Sequence, residues 1–262
     1  MLRSMFIAAT GMEAQKLNID VVSNNLANVS TAGFKKSRAD FQDLMYQTIK
    51  AAGATSAEGV QIPSGIQIGL GVKPVAVQKI FTQGDFVNTG NSLDLVIEGD
   101  GFFQITKPDG TIAYTRAGAF KLDSEGRIVN SDGYPLEPSI TIPSNATNLT
   151  VGSDGKITVM TAGSNTPTEI GQIELAKFLN PGGLNALGKN LYQNTASSGD
   201  PTTSNPSVEG MGAINQGFIE QSNVSVVEEM VNMIVSQRAY EINSKAVQAS
   251  DEMLQVANNL KR

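Results

Sequence analysis

The sequence predicts an α+β protein in which N- and C-terminal helices pair as a coiled coil, with a central, mainly antiparallel β domain between them in the chain. Apolar residues at both chain ends recur at alternating three- and four-residue steps, which is the pattern of a coiled-coil seam. The middle of the chain alternates short apolar runs with Asp-Gly pairs, which are typical of β-hairpin turns. Residues 51–72 contain five glycines and one charged residue, which favours an extended segment over a packed helix.

These patterns divide the chain into four segments. Residues 1–44 are expected to form an N-terminal helical core segment, 45–72 an extended arm, 73–217 the central β domain and 218–262 a C-terminal helical core segment. We also expect a second, shorter helix over residues 38–49, because its apolar residues share one helical face.

The N-terminal apolar seam extends over nearly four heptads. Its members are Leu2, Met5, Ala9, Met12, Ile19 and Leu26, with Lys16 and Ser23 at the two positions that break the set. The seam ends in a polar run that includes Asn25 and Asn28 and is followed by Gly33. Such residues end a helix because they offer its last carbonyls other hydrogen-bond partners. The two asparagines are also candidates for polar contacts between subunits.

The C-terminal seam is the longer of the two. Ser225 and Glu228 have the spacing of a capping box, and neither Pro nor Gly follows them before the end of the chain. The residues of this segment that we expect to contact other helices are Val227, Val231, Ile234, Arg238, Tyr240, Ile242, Met253 and Leu260. Successive four-residue steps at the start of the seam form a stutter, which locally relaxes a left-handed supercoil. Arg238 and Tyr240 are candidates for hydrogen bonds across subunits, although contacts within one chain are an alternative.

The composition excludes several classes of function. The chain has neither Cys nor His, which removes thiol nucleophiles, the usual zinc sites and Ser-His-Asp triads. We therefore expect no enzymatic activity, no catalytic residue, no cofactor and no metal. The net charge of −6 argues against a nucleic-acid partner, and the small basic group of Lys35, Lys36 and Arg38 is expected to be a solvated edge.

The sequence also bears on localisation. No apolar run approaches the ~20 residues that a membrane span requires, so direct membrane insertion is not expected. There is no charged start followed by an apolar stretch and a cleavage site, so export is expected to proceed without a cleaved signal peptide.

Apolar residues outside the two seams favour assembly with further copies of the chain. Met230, Met233, Ile234 and Tyr240 lie off the main C-terminal seam, so pairing of the two terminal helices leaves apolar surface over. Identical head-to-tail contacts that do not close into a ring generate a helical polymer. The alternative is a monomer whose helical hairpin packs on its own β domain. In the arm, the candidates for contacts with neighbouring subunits are Tyr46, Ile49, Ile66 and Ile68.

Several motifs resemble those of one known family. Residues 23–35, with the sequence SNNLANVSTAGFK, resemble the N-terminal signature of the flagellar basal-body rod and hook family. Residues 231–234 and 237–246 resemble its C-terminal signature, and residues 99–103 and 114–120 resemble its shared central domain. The similarity follows the whole chain in order. Within the family it is greatest to the distal-rod branch, on the strength of residues 43–49 and 63–69 together with residues 190–192 and 197–199.

The resemblance implies a structural axial protein that is exported through the flagellar type III apparatus and assembled in the periplasm into a hollow drive shaft. It implies a helical homo-oligomer with proximal rod proteins, hook protein and the surrounding outer-membrane and peptidoglycan rings as neighbours. A proximal rod or hook protein of the same family, or an exported β-domain adhesin or binding module, are the alternatives. We further hypothesise that the arm bridges neighbouring subunits and reduces sliding between them.

Overall fold

The computed structural model describes residues 2–51, 55–57, 60–61, 64–161 and 166–259 of the 262-residue chain. Its elements fall into two compact units. The helical unit comprises Met1–Leu26, Ser37–Gln78 and Ser225–Arg262, and the β unit comprises Ala27–Lys36 and Lys79–Val224.

Two long helices dominate the helical unit. They are α1 (Leu2–Ala27) and α2 (Val226–Asn259), and their contact confirms the predicted pairing of the chain ends. After α1, the backbone amide and the hydroxyl of Thr31 donate to the carbonyl and side-chain oxygens of Asn28, at 3.1 and 3.2 Å. The predicted polar run thus supplies the turn that follows the helix. At the start of α2, the carbonyl of Ser225 accepts a hydrogen bond of 3.0 Å from the amide of Glu229.

The rest of the helical unit is built from strands. These are β1 (Ser37–Asp43), β2 (Tyr46–Lys50), β3 (Thr55–Ala57), β4 (Val60–Gln61), β5 (Ile66–Gly69) and β6 (Val72–Lys79). They pair as β1 with β6, β2 with β5 and β3 with β4. The helix predicted over residues 38–49 is therefore wrong. Its apolar spacing fits one helical face, but pairing with the later strands satisfies its backbone groups instead.

The described parts of the predicted arm form an antiparallel hairpin. Tyr46 lies opposite Gly69, and the ladder continues to Lys50 opposite Ile66 with one irregularity. Two further backbone hydrogen bonds join Leu44 to Gly71 and Leu70 to Met45, at 2.8 and 3.2 Å. The described part of the arm is thus extended, and its backbone is paired with itself.

The β unit is assembled from short strands, as predicted from the turn pattern. Its strands are β7 (Phe86–Asn88), β8 (Leu95–Glu98), β9 (Phe102–Thr106), β10 (Ile112–Thr115), β11 (Lys121–Leu122), β12 (Ile128–Val129), β13 (Leu136–Glu137), β14 (Ala146–Val151), β15 (Lys156–Thr161), β16 (Thr168–Gln172), β17 (Leu175–Lys177), β18 (Asn185–Gly188), β19 (Leu191–Gln193), β20 (Thr202–Ser204), β21 (Ala213–Gln216) and β22 (Phe218–Glu220). A single 3₁₀ turn, Pro181–Gly183, lies among the described residues of this unit.

The largest sheet of the β unit has seven strands in the order β18-β19-β10-β9-β17-β20, with β13 also pairing with β9. A three-stranded sheet has the order β14-β15-β16, and two-stranded pairs join β11 with β12, β21 with β8 and β22 with β7. All of these pairings are antiparallel, which confirms the predicted character of the central domain. The last strand, Phe218–Glu220, lies beyond the predicted boundary at residue 217.

The core of the β unit is continuous and apolar. Phe103 and Phe120 pack edge to face with ring centroids 5.1 Å apart, surrounded by buried Ile, Leu and Val side chains. Gly118 allows this packing, because a Cβ at that position would lie 1.6 Å from the backbone oxygen of Leu95. Gly110, in the β9–β10 turn, is different: its φ of +78° favours glycine, but a Cβ there would meet open space.

Substitution of Gly118 by alanine should therefore destabilise the β unit strongly. The added methyl group collides with backbone rather than with a movable side chain, so we expect a loss of at least about 3 kcal/mol. Gly110→Ala is the matched control, and its strained φ should cost only about 1 to 2 kcal/mol. Urea unfolding followed by circular dichroism measures both variants. Equal losses would show that the close approach at Gly118 does not limit packing.

Candidate assembly surface

The contact between α1 and α2 contains pairs of small or polar residues that recur every seven residues along both helices. These pairs are Ser4 with Ser250, Gly11 with Asn243, Asn18 with Ser236 and Asn25 with Glu229, and we call them the polar ladder. Successive pairs advance along one helix and recede along the other. The two helices are therefore antiparallel and in one defined register.

Each pair of the polar ladder makes close contact. The Oγ atoms of Ser4 and Ser250 are 3.1 Å apart, and Nδ2 of Asn18 donates to Oγ of Ser236 at 2.8 Å. Nδ2 of Asn25 donates to Oε2 of Glu229 at 3.1 Å. At the remaining pair, a Cβ on Gly11 would lie 2.8 Å from Nδ2 of Asn243, so any side chain at this position would require the Asn243 side chain to shift.

The polar ladder includes the most buried side chains of α2. Glu229, Ser236 and Ser250 are 4%, 2% and 3% exposed, and Asn25 on α1 is 1% exposed. Buried polar groups are costly unless they are hydrogen-bonded, so this contact is specific as well as stabilising. None of these α2 residues belongs to the apolar seam from which the pairing was predicted.

The predicted apolar positions of α2 lie largely outside the helix contact. We call Val227, Val231, Ile234, Val235, Ile242, Met253 and Val256 the apolar stripe. All are exposed; Val227 and Ile242, for example, are 73% and 65% exposed. At 100° per residue, the stripe is centred about 130° around the helix axis from the polar ladder. It therefore faces away from the pairing contact, and within the subunit it is available to a partner.

The other predicted assembly residues are distributed over several environments. On α1, Leu2 and Ala9 are exposed, whereas Met5, Met12, Ile19 and Leu26 are half-buried and Asn25 is buried. Asn28 is half-buried in the turn after the helix, and Tyr240 is exposed. Arg238 is exposed and pairs with Glu241 of its own helix at 3.0 Å. Leu260 lies outside the described residues.

The arm also presents apolar side chains to solvent. Tyr46, Ile49 and Ile66 are exposed, as is the neighbouring Met45, whereas Ile68 is half-buried. A hydrogen bond from its side chain to Asp43 raises the pKa of Tyr46, so the phenol keeps its proton at neutral pH. The hairpin thus offers an exposed apolar surface with its phenol uncharged.

Lys35 was expected on a solvated edge, and this expectation is wrong. Its side chain is fully buried, and Nζ donates to Oε1 of Glu220 at 2.5 Å and to the carbonyl of Thr82 at 2.7 Å. Nε of Arg116 lies 3.7 Å from the other oxygen of the Glu220 carboxylate. Burial lowers the pKa of both Lys35 and Arg116, and the negative charge of Glu220 opposes this. Arg38, by contrast, is exposed as expected.

This buried charge cluster anchors the segment between α1 and β1 within the β unit. The amide of Gly33 donates to the backbone oxygen of Glu220 at 2.8 Å, next to the Lys35 ion pair. Sequence reasoning missed the cluster, because no periodicity links residues that are 185 positions apart. It missed the polar ladder for another reason: serine and asparagine among apolar residues look like ordinary surface positions.

Two further properties concern the described residues alone. Neither α1 nor α2 contains a stretch that is long and apolar enough to cross a membrane. In the part of the chain that the structure describes, no three His, Cys, Asp or Glu side chains converge as metal ligands would.

Three family models match successive parts of the chain. Residues 5–35 match the flagella basal body rod protein model, residues 96–159 the flagellar hook protein FlgE/F/G D1 domain, and residues 215–260 the C-terminal model of the flagellar basal body rod FlgEFG proteins. These segments cover α1, the centre of the β unit and α2. The helix pair and the antiparallel β unit together thus define an axial protein of the bacterial flagellum, the class that contains hook and rod proteins.

Curated relatives narrow this class. The chain is 52% identical to the flagellar basal-body rod protein FlgG of Borreliella burgdorferi, across 100% of both proteins. It is 52% identical to FlgG of Buchnera aphidicola subsp. Schizaphis graminum, over 99% of this chain and 100% of that protein, and 43% identical to FlgG of Bacillus subtilis, over 100% of both. The chain belongs to the flagellar basal-body rod protein family, in its FlgG or distal-rod branch.

The same comparisons decide between the interpretations that the sequence left open. The hook protein FlgE of Helicobacter mustelae is 43% identical, but the match spans 52% of this chain and 30% of that protein. The whole-length similarity is therefore to rod proteins and not to the hook protein. Membership of this family also confirms a structural rather than an enzymatic protein.

The buried charge cluster yields a test of what anchors the segment after α1. Glu220→Gln leaves Lys35 and Arg116 as two buried cations without a carboxylate, which should cost about 3 to 5 kcal/mol. Lys35→Met should cost less, because Arg116 and Glu220 still compensate each other. Chemical unfolding of both variants gives the comparison. A larger loss for Lys35→Met would contradict the view that Glu220 neutralises two cations.

Proposed function

We propose that the chain is the structural subunit of the distal flagellar rod, and that copies polymerise helically through the apolar stripe into the hollow periplasmic shaft that transmits torque to the hook. The observation that carries this proposal is the imbalance between buried and exposed apolar residues in the helical unit. Membership of the family indicates that the subunit lies in the flagellar rod. The exposed apolar residues of the helical unit give a physical reason for copies to assemble.

The imbalance is large. Of the 30 buried apolar residues in the described part of the chain, only 3 lie in the helical unit, namely Ala8, Ala14 and Val22. Of the 25 large exposed apolar residues there, 18 lie in the helical unit. The β unit has a complete core, whereas the helical unit has small buried residues and large exposed ones. Exposed apolar surface of this extent is typical of a protein–protein interface.

A second copy of the same chain fits this surface. The stripe continues along α2 for almost its whole length, and the exposed residues Leu2 and Phe6 add apolar surface on α1. Covering each large side chain contributes roughly 1.5 to 3 kcal/mol, so several contacts per subunit would hold a polymer against thermal dissociation. Helices held together along their length resist twisting and bending, which a shaft under torque requires.

The proposed neighbours follow from this placement. At its ends the polymer would contact proximal rod proteins and hook protein, and around it the peptidoglycan and outer-membrane rings. Export through the flagellar type III apparatus would bring the chain to the periplasm. Nucleic acid and direct membrane insertion have no part in the proposal.

The arm is proposed to bridge neighbouring subunits. Its hairpin exposes Tyr46, Ile49 and Ile66, while its backbone pairs with itself. A paired hairpin is stiffer than a single extended strand, and its exposed apolar residues can pack against the next copy. Such bridges would limit sliding of one subunit past another.

Assembly can be tested by placing charge on the apolar stripe. Val231→Glu with Ile242→Glu should abolish polymer formation and motility, because two carboxylates would have to be buried without partners. Both positions are exposed in the single subunit, so folding should be retained. Sedimentation of concentrated protein and swimming of a strain that lacks its own rod gene measure the effect.

The matched control adds the same charge elsewhere on α2. Gln237 and Gln248 are exposed and lie outside the stripe, so Gln237→Glu with Gln248→Glu should leave assembly and swimming intact. Normal polymers from the stripe variant would remove the stripe from the interface and favour the monomeric alternative.

The arm has a similar test. Ile49→Ser with Ile66→Ser should leave polymers that form but bend more, so that their persistence length in electron micrographs falls at least about twofold. Gln47→Ser with Gln67→Ser changes exposed polar residues of the same two strands and should have no effect. Equally straight polymers from both variants would refute the bridging role.

A further inference from the structure

We infer that the polar ladder fixes the register and the pairing partner of α1 and α2, with α1 as the donor and α2 as the acceptor where Asn18 meets Ser236 and Asn25 meets Glu229. The inference rests on contacts within one chain and does not depend on polymer formation. A fixed register also holds the apolar stripe of α2 at one defined height relative to α1. The importance of that height for assembly does depend on the proposed function.

The apolar residues cannot fix the register by themselves. They repeat every seven residues on both helices, so a slip of one heptad brings similar side chains into similar places. In other coiled coils, a polar residue at a single core position is enough to specify register and partner. The polar ladder places such residues at four successive levels.

The donor and acceptor roles follow from the other bonds of the serines. Oγ of Ser236 donates to the carbonyl of Asn232 at 2.8 Å, so it accepts from Asn18. Oγ of Ser250 likewise donates to the carbonyl of Ala246 at 2.8 Å, and it lies 3.1 Å from Oγ of Ser4.

The amide nitrogen Nδ2 of Asn25 can only donate, so the carboxylate of Glu229 accepts. At the pairs of Asn18 with Ser236 and of Asn25 with Glu229, the donor is therefore on α1. Two α2 helices from different copies would bring acceptors together along this face.

The pair of Asn25 and Glu229 defines one end of the ladder. Besides donating to Glu229, Nδ2 of Asn25 donates to the carbonyl of Ser37 at 2.9 Å, and its Oδ1 accepts from the amide of Ser37 at 2.8 Å. Asn25 is thus tied to the first residue of β1, and its position cannot follow a sliding helix. A slip that moved Glu229 beyond the end of α1 would leave a buried carboxylate without its partner.

Each direction of slip has its own cost. If Glu229 moved beyond the end of α1, Asn243 would face the larger Asn18 instead of Gly11, in a contact where even a Cβ at Gly11 would require the Asn243 side chain to shift. In the opposite direction, Ser236 would face Gly11 and leave a gap, and Asn25 would face Ser222, which lies before α2. Of these three registers, the observed one is the one in which all four pairs of the polar ladder are in contact.

The natural chain has no cysteine, so an introduced pair is the only source of a disulfide. In the full-length protein, Ser4→Cys with Ser250→Cys reports the observed register, and Ser4→Cys with Ala257→Cys reports a slip of one heptad. With the other three pairs of the polar ladder unchanged, the first cysteine pair should cross-link within one chain at least about tenfold more than the second. Appreciable cross-linking of the slipped pair would overturn the inference.

The ladder itself is then altered. Asn25→Leu with Glu229→Leu should raise cross-linking of the slipped pair at least about tenfold, because leucine at these positions does not discriminate between registers as the polar pair does. Glu13→Leu with Asn232→Leu makes the same two replacements at exposed positions and should leave the slipped pair unlinked. An unchanged ratio in the Asn25→Leu/Glu229→Leu protein would overturn the inference.

A milder variant keeps the test decisive if the first does not fold. Asn18→Leu with Ser236→Leu leaves the end of the ladder intact and should still increase the slipped product severalfold, whereas Glu229→Gln, which keeps an acceptor oxygen, should not. More slipped product from Glu229→Gln than from Asn18→Leu with Ser236→Leu would contradict the proposed role of the ladder. Cross-linking is measured in dilute monomer, so failure of polymer formation would be a separate result.

Discussion

The polar ladder between α1 and α2 is the contact on which the rest of the helical unit depends. The side chains of Asn25, Glu229, Ser236 and Ser250 are buried in this contact and must be hydrogen-bonded, so the two helices have one arrangement that satisfies them. Because small polar residues occupy this contact, the larger apolar residues of α2 face elsewhere and find no cover in their own subunit. The same sequence feature thus specifies the pair and leaves surface for a neighbour.

The β unit, in contrast to the helical unit, buries its large apolar side chains within its own core. Its apolar core is closed, and the charges of Lys35, Arg116 and Glu220 are buried against one another rather than exposed. A buried ion pair contributes more to a unique structure than to net stability, since desolvation offsets most of its attraction. The β unit therefore has a closed core of its own, whereas the helical unit leaves large apolar residues exposed. This division suits the proposed subunit, which would fold first and polymerise later.

The long helix and the β-hairpin turns were predictable from the sequence, whereas the pairing of residues 38–49 and the buried polar contacts were not. The 34-residue helix α2 has heptad spacing and neither Gly nor Pro, and the turns of the β unit carry Asp-Gly pairs, so both were found. Residues 38–49 have an apolar spacing that fits a helix, and only their pairing with later strands decides otherwise. In the sequence, Asn25, Ser236 and Ser250 look like surface residues although they are buried, because sequence patterns show hydrophobicity and not the hydrogen bonds that permit burial. Lys35 was misassigned for a different reason, since its partner Glu220 is distant in sequence.

The most direct measurement of the central claim is cryo-electron microscopy of the assembled protein at a resolution that shows side chains. The account predicts that the apolar stripe of every copy is covered by a neighbouring copy, while Asn25 and Glu229 remain paired within each chain. A polymer in which Val231, Ile242 and Met253 stay exposed to solvent, with contacts made only through the β unit, would contradict it.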